Sequence, residues 1–544
     1  MIASQAARFA LAVFVVYAVL LMPNHPASLG WGIWRVFPLE LPLIVLTCVA
    51  VGGSFLSTPL RLAIAFFLTV MVALKGADFV NYNALSRPFN PVADMALVEA
   101  FVRLLVGSFG SFLTGVIVVL SVVAVAGLIW LIWWSTGVFA SLNLGSSPTT
   151  KWIAAAAAMV TAGVAIADTG RTMRVFDLAT NPPGAALTSR IALERAQLVG
   201  KTLAQARQFR TAAANDSFDL ASGQKTTVRR DVLVIFVESY GRASFDTPQY
   251  ANLHRQTLNT YAARLRDQEL AMRSGFLASP TKGGQSWLAH ATLANGLWID
   301  NQISYAAALS SGRQTLFHHG QRAGFRTATV MPQITLAWPE SARMGFERVL
   351  VAKDLGYRGL PFNWVTMPDQ FTLSASDRLL RGGNDPRPLL AQIALASSHA
   401  PWVPIPEIIP WADIGDGTVF NAIAQSGDPP NVVWRDRDRV RAQYRLAINY
   451  ALKAVLEYGL LHAKDPPLMI VVGDHQAAGF VALDERRDVP IHIIGPEDLV
   501  ERLSELAPFT GLVPPKDATA LPMDKVRDMV LQALVQPSQR NADP

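Results

Sequence analysis

The sequence predicts an N-terminal polytopic α-helical membrane domain followed by an α/β domain with a mostly parallel sheet. Three observations carry this expectation. Hydrophobic residues make up 51% of the chain against 16% charged, which is apolar for a soluble enzyme, and the excess lies in the first third. From Asp231 onward, short runs rich in β-branched residues alternate with helical stretches, the pattern of strands joined by crossover helices. Acidic, imidazole and hydroxyl side chains stand directly at the ends of those runs, where open α/β sheets form their ligand sites.

Composition also excludes partners. The net charge of +6 is spread out with no long basic block, so nucleic acid is not an expected partner. The single cysteine, Cys48, lies inside an apolar run, and no disulfide framework is available.

Taken in order, the first apolar run is Phe9 to Met22, behind Arg8. It has the length of a signal peptide, but further runs argue for retention: Phe37 to Leu56, Leu60 to Leu74, Phe112 to Trp134 and Trp152 to Ala167. The fourth run is nearly free of polar residues and ends on Trp130, Trp133 and Trp134, as a spanning helix with an interfacial aromatic end does. The expectation is about five spans over residues 1–167, with four the alternative. Flanking charges do not orient them. Arg8, Arg61 and Lys151 on one side oppose Arg35, Arg87, Arg103, Arg171 and Arg174 on the other, a bias against an exterior C-terminal part. Lys75 and Asp78, followed by Asn81 to Pro91, are read between the third and fourth spans, either snorkelling to the interface or forming a platform for lipid headgroups.

Residues 168–230 are expected to be a linker. Asn181-Pro-Pro-Gly breaks the chain there, and Leu187 to Ala213 has helical spacing, lying along the membrane or packed on the soluble domain. Residues 231–507 would form the catalytic domain and 508–544 a tail without visible chemistry. The expected strands are Val232–Val237, Arg326–Met331, Leu389–Ala396, Leu468–Val472 and Val489–Ile494; the main helices are Trp287–Gly296 and Val440–His462.

Glu238 follows the first strand, Ser397-Ser398-His399 the third and Gly473-Asp474-His475 the fourth. Ser286 follows Gly283-Gly284-Gln285 and opens a helix, where free N–H groups and the macrodipole favour an anion. It reads as an N-cap or as a nucleophile facing a phosphate or sulfate. Singly, Glu238, Asp474 and His475 also read as cap, turn or exposed polar residues. Jointly they suit a divalent metal, with the Ser286 oxygen completing the set. Lys282 reads as an exposed lysine or a source of positive charge; His290 and His492 read as packed histidines or as further metal groups. The arginines from Trp434 to Arg441 read as a solvated face with internal ion pairs or as a surface attracted to anionic lipid headgroups.

On Val-Ile-Phe-Val-Glu238-Ser, Gly283-Gly-Gln-Ser286, Ser398-His399-Ala-Pro401-Trp and Val-Val-Gly473-Asp474-His475, the chain resembles the alkaline phosphatase/sulfatase superfamily. More narrowly it is similar to the membrane-anchored branch that includes lipoteichoic acid synthase and lipid A phosphoethanolamine transferases. The resemblance covers roughly Arg230 to Leu503. It implies an alkaline phosphatase/sulfatase-like fold and a divalent metal ion (Mn²⁺, Mg²⁺ or Zn²⁺) on Glu238, Ser286, Asp474 and His475. It further implies Ser286 as nucleophile, a position usually Thr in this branch, and His399 contacting the transferred group. The implied activity is a phosphotransferase moving a phospholipid-derived headgroup, phosphoethanolamine or phosphoglycerol in type, to an envelope glycan or lipid. The alternative is a phosphodiesterase or sulfatase-like hydrolase. The implied place is the bacterial inner membrane, with the catalytic domain on the periplasmic or extracellular side. Two departures stand out: Met331 and Glu340 occupy places where a phosphoglycerol-binding His and Arg would fall, and the disulfides of phosphoethanolamine transferases are absent. The residues after Ser286 are Trp-Leu-Ala-His, not the x-Pro-x-Arg of a formylglycine sulfatase.

Overall fold

The computed structural model describes residues 2–85, 87–142, 148–175, 182–216, 218, 226, 228–382 and 385–535. Ser86, the chain break at Asn181 and the polar end of the tail lie outside the described residues. The chain divides into two compact units, residues 1–83 with 87–205, and residues 84–86 with 206–544.

The first unit is helical: α1 (Ile2–Leu21), α2 (Glu40–Val51), α3 (Ser57–Leu85), α4 (Met95–Ala140), α5 (Pro148–Thr172) and α6, which begins at Leu187 and runs to Ala214. Three stretches are long and apolar enough to cross a membrane: α3, Gly110–Ala140 of α4, and α5. The apolar stretch Gln5–Leu21 and α2 are shorter. Gly110 divides α4, its φ of 78° being a conformation that only glycine adopts freely. Beyond it Val118, Val119, Leu120, Val122 and Val123 all face outward, a surface suited to lipid.

Lys75 and Asp78 do not lie in a loop between helices. Both lie within α3 and are fully buried. Lys75 Nζ donates to Leu20 O (2.8 Å), at the end of α1, and to Thr188 Oγ1 (2.9 Å). Asp78 pairs with Arg195 at 2.7 Å. Buried charges persist only when paired, and these two are spent on fastening α6. Glu40 Oε1 accepts from Ser189 N and Thr202 Oγ1 from Asn90 Nδ2, so the first half of α6 packs on this helical unit.

The second unit is an α/β/α sandwich on an eight-stranded sheet. Its strands are β1 (Val232–Val237), β2 (Ala271–Ala278), β3 (Arg326–Met331), β4 (Arg348–Val351), β5 (Leu389–Leu395), β6 (Leu468–Gly473), β7 (Asp488–Gly495) and β8 (Leu521–Pro522). The order is β4-β3-β5-β1-β6-β7-β2-β8. Every neighbouring pair is parallel except those of β7, which runs against both β6 and β2. The sheet is thus mostly parallel, with one reversed strand.

β1 shows why its sequence reads as a strand. Leu233, Ile235 and Val237 enter one core with helices Pro248–Arg266 and Arg437–Leu461. Val232, Val234 and Phe236 enter the opposite core with helices Ser286–Asn295 and Val526–Val535. Alternate residues face opposite sides, and both sides are dry. Each such side chain contributes roughly 1.5–3 kcal/mol on burial, which explains an unbroken apolar run in the middle of the sheet. The tail is not featureless: β8 extends the sheet, and Arg527, fully buried, pairs with Asp216.

Candidate metal and nucleophile site

β5, β1 and β6 lie side by side and parallel, so their carboxyl ends reach one rim. That rim carries His399, Glu238 and the Asp474–His475 pair. β2 runs the same way, and the segment leaving it returns to the same place. Ser279 Oγ donates to Asp474 O (2.6 Å), and Gly283 N donates to Gln476 O (2.8 Å). Gly283 (φ +77°), Gly284 (φ +146°) and Gln285 (φ +67°) then turn the backbone through conformations that L side chains seldom adopt. Ser286 emerges as the first residue of its helix.

The Ser286 hydroxyl does not cap that helix. It donates to Glu238 Oε2 at 2.9 Å. Ligand atoms of Glu238, Asp474 and His475 all lie within 4.8 Å of one another. Asp474 Oδ1 accepts from the backbone N–H groups of Ser239 (2.8 Å) and His475 (2.6 Å), which fixes the carboxylate and leaves Oδ2 toward the cluster. His475 Nδ1 faces Gln476 O at 3.0 Å and must donate to it. Its Nε2 stands 3.1 Å from Glu238 Oε1 and 3.9 Å from Asp474 Oδ2 but makes no properly directed hydrogen bond.

A buried imidazole nitrogen without a hydrogen bond, pointed at two carboxylates, has the disposition of a metal ligand whose other nitrogen is held by a carbonyl. The donor set of two carboxylates, one imidazole and one hydroxyl suits a divalent cation of hard to borderline character. Electrostatics agree. Burial works to raise the Glu238 carboxyl, but the neighbouring His475 overrides it and holds the group well below the usual carboxylate range. Burial and the charge of Glu238 push Asp474 well above that range. Burial alone would lower His475, yet Asp474 and Glu238 lift it to about 9. The two carboxylates thus create a demand for positive charge beside His475 Nε2.

His399 lies in the turn after β5, close enough for its charge to act on Glu238. That turn is tied to the site by Ser398, whose Oγ donates to Glu238 O at 2.6 Å. Lys282 differs from the exposed lysine expected of it: it is buried, and Nζ pairs with Glu485 at 2.9 Å. His290 lies under the cluster against Phe236 (ring centroids 4.0 Å apart), and burial lowers it to about 4. His492 is structural, its ring nitrogens held by Tyr240 (3.0 Å), Ser274 (2.8 Å) and Leu512 O (3.0 Å). Sequence reasoning missed Ser279, Gln476 and Asp369. A Pro-Asp pair opening a helix signals Asp369 as a helix start, but nothing in the sequence joins it to this rim.

No protein-family model and no curated protein sequence matches the chain. Among solved structures it is similar to enzymes and domains of the alkaline phosphatase superfamily and related transferases. A protein of that superfamily from Vibrio parahaemolyticus is 16% identical, covering 55% of this chain and 74% of its own, with a TM-score of 0.32. The lipoteichoic acid synthase LtaP of Listeria monocytogenes is 12% identical over 61% of this chain and 78% of its own (TM-score 0.37). The soluble domain of lipooligosaccharide phosphoethanolamine transferase A from Neisseria meningitidis is 14% identical over 57% of this chain and 90% of its own (TM-score 0.38).

Proposed function

We propose that this chain is a membrane-anchored, metal-dependent phosphotransferase that moves a phospholipid-derived headgroup onto an envelope glycan or lipid through a covalent Ser286 intermediate. The observation that carries this reading is the Ser286 hydroxyl, delivered at a helix N-terminus to within 2.9 Å of Glu238 beside Asp474 and His475. Glu238, Asp474, His475 and the Ser286 oxygen would hold the cation, whose chemistry is to acidify a bound hydroxyl and offset charge on a phosphoryl oxygen.

Ser286 Oγ bonds to phosphorus as the P–O bond to diacylglycerol breaks. The serine proton passes to the paired carboxylates of Glu238 and Asp474, of which Asp474 holds a proton more readily, and His399 supplies a proton to the departing glycerol oxygen. In the second half an acceptor hydroxyl gives its proton to His399 and bonds to phosphorus. The Ser286–phosphorus bond breaks, and the serine oxygen regains its proton. Water as acceptor would make the same site a phosphodiesterase. The apolar helices favour a lipid donor, since they would keep the site near it. The proposed setting is the inner membrane, with the catalytic unit outside the cytoplasm.

The test is mass spectrometry of the detergent-purified protein after incubation with a bacterial phospholipid extract and Mn²⁺, beside Ser286→Ala. An adduct on the Ser286 peptide, absent from the variant, is the expected result, and its mass names the headgroup. Ser286-dependent lipid consumption without an adduct would point to the hydrolase. No consumption at all would overturn both.

A further inference from the structure

Asp369 opens the helix Asp369–Ser376 and is completely buried. Its Oδ1 accepts from Ala396 N (2.7 Å) and Ser397 N (2.8 Å), and its own N–H donates to Ser397 Oγ (2.9 Å). Its Oδ2 is buried with no hydrogen-bond partner. These three bonds join the start of one helix to the two peptides through which β5 leaves the sheet.

Beyond those peptides the chain enters the His399 turn. His399 N donates to Ala396 O (2.9 Å), and Trp402 Nε1 to Ser398 O (2.7 Å). Ser398 Oγ reaches Glu238 O. The turn is therefore gripped at its entry by Asp369, at its middle by the Glu238 backbone and at its exit by an indole. The Asp369 carboxyl caps no N–H of its own helix, so its buried hydrogen bonds serve the β5 exit alone. One oxygen atom thereby grips two consecutive N–H groups.

We propose that Asp369 is a positioning residue, fixing the His399 imidazole relative to Ser286 and Glu238 by clamping the Ala396 and Ser397 peptides. The proposal rests on His399 being the proton-transfer group of the proposed phosphotransferase. Both clamping bonds fall on one oxygen, so asparagine, which keeps that oxygen, reproduces them; alanine removes them and leaves two buried N–H groups unmatched.

The experiment uses the full chain in detergent as wild type, Asp369→Asn, Asp369→Ala, His399→Ala and the Asp369→Ala/His399→Ala double variant. One arm needs no turnover. Diethylpyrocarbonate modification of each histidine is followed by peptide mass spectrometry, and Mn²⁺ affinity is measured by calorimetry. Asp369→Ala should change the modification rate of His399 at least about fivefold, leave Mn²⁺ affinity within about threefold, and be rescued by asparagine. The second arm times Ser286 adduct formation from the phospholipid extract. Asp369→Ala should slow it about 30-fold or more and asparagine less than about fivefold, and the double variant should be no slower than His399→Ala alone. An unchanged His399 modification rate, an asparagine variant as impaired as alanine, or a double variant slowed by the product of both effects would overturn the clamp. If the wild type forms no adduct and consumes no lipid, the phosphotransfer reading fails, and the modification arm still decides whether Asp369 sets His399.

Discussion

Ser286 Oγ and Glu238 Oε2 are 48 positions apart in the chain and 2.9 Å apart in space, and the proposed chemistry starts from that contact. Ser286→Ala removes the proposed nucleophile and a proposed metal oxygen, so turnover of phospholipid should fall by about 10³-fold or more. The unfolding temperature should stay close to wild type, because Ser286 is half-buried and caps nothing. Asp474→Asn keeps the acceptor that binds Ser239 N and His475 N but replaces the oxygen facing the cluster. Calorimetric Mn²⁺ affinity should drop at least about tenfold, since losing even an outer partner of a metal site costs 10- to 100-fold. Unchanged affinity would remove Asp474 from the metal site. Glu238, Asp474 and His475 were legible because they stand at the ends of apolar runs, and Ser286 because it follows a Gly-Gly-Gln turn at a helix start. Asp369 was not legible: its partners Ala396 and Ser397 are ordinary residues that become significant only when two strand and helix ends meet.

The elements read correctly are those buried on both faces. β1 and β6 appear as continuous apolar runs, and β5 as one broken only by Gln392, because each side of the sheet is covered. β2 fails that test, since Arg273, Ser274 and Gly275 interrupt it. The structure supplies the reasons. Ser274 is needed by His492, and Gly275 makes room for Phe509, whose ring would lie 2.2 Å from an added Cβ. Gly275→Ala should therefore destabilise the second unit by about 1–3 kcal/mol through overpacking, read as a lower urea midpoint. The helix Val526–Val535, part of a tail in which the sequence showed nothing, is fastened by Arg527. Its guanidinium is fully buried, holds both Asp216 oxygens at 2.8 Å and also pairs with Asp528. Arg527→Ala leaves a partly buried Asp216 with Arg313 as its remaining ionic partner. The expected cost is about 3 kcal/mol, the low end for a broken buried pair because Asp216 keeps some access to water. A loss below about 1 kcal/mol in the same urea assay would mean that Arg313 replaces it.

Across the whole molecule, part of the pH dependence comes from histidines kept neutral by burial. His254, His290, His319 and His492 are each lowered from 6.5 to about 4. The unfolded chain binds a proton at each below about pH 6.5, where the folded chain does not, so stability is lost as pH falls from 6.5 toward 4. Each histidine contributes a slope of up to about 1.4 kcal/mol per pH unit. Asp369, raised by burial to about 6, acts in the opposite direction between about pH 4 and 6 and offsets one of them. Tryptophan-fluorescence melts at pH 7 and pH 5 should therefore show a lower transition at pH 5, and His492→Phe should reduce the difference. The reversed strand β7 carries another consequence, for biogenesis. β2 has β7 and β8 as its sheet partners, and β7 begins about 200 residues later in the chain. At about 5–20 residues per second, a nascent chain would carry β2 with both edges unsatisfied for roughly 10–40 s, while the parallel centre of the sheet was also incomplete. The arginine, serine and glycine that hide β2 from a sequence reader also make it a poor template for pairing with other chains during that wait.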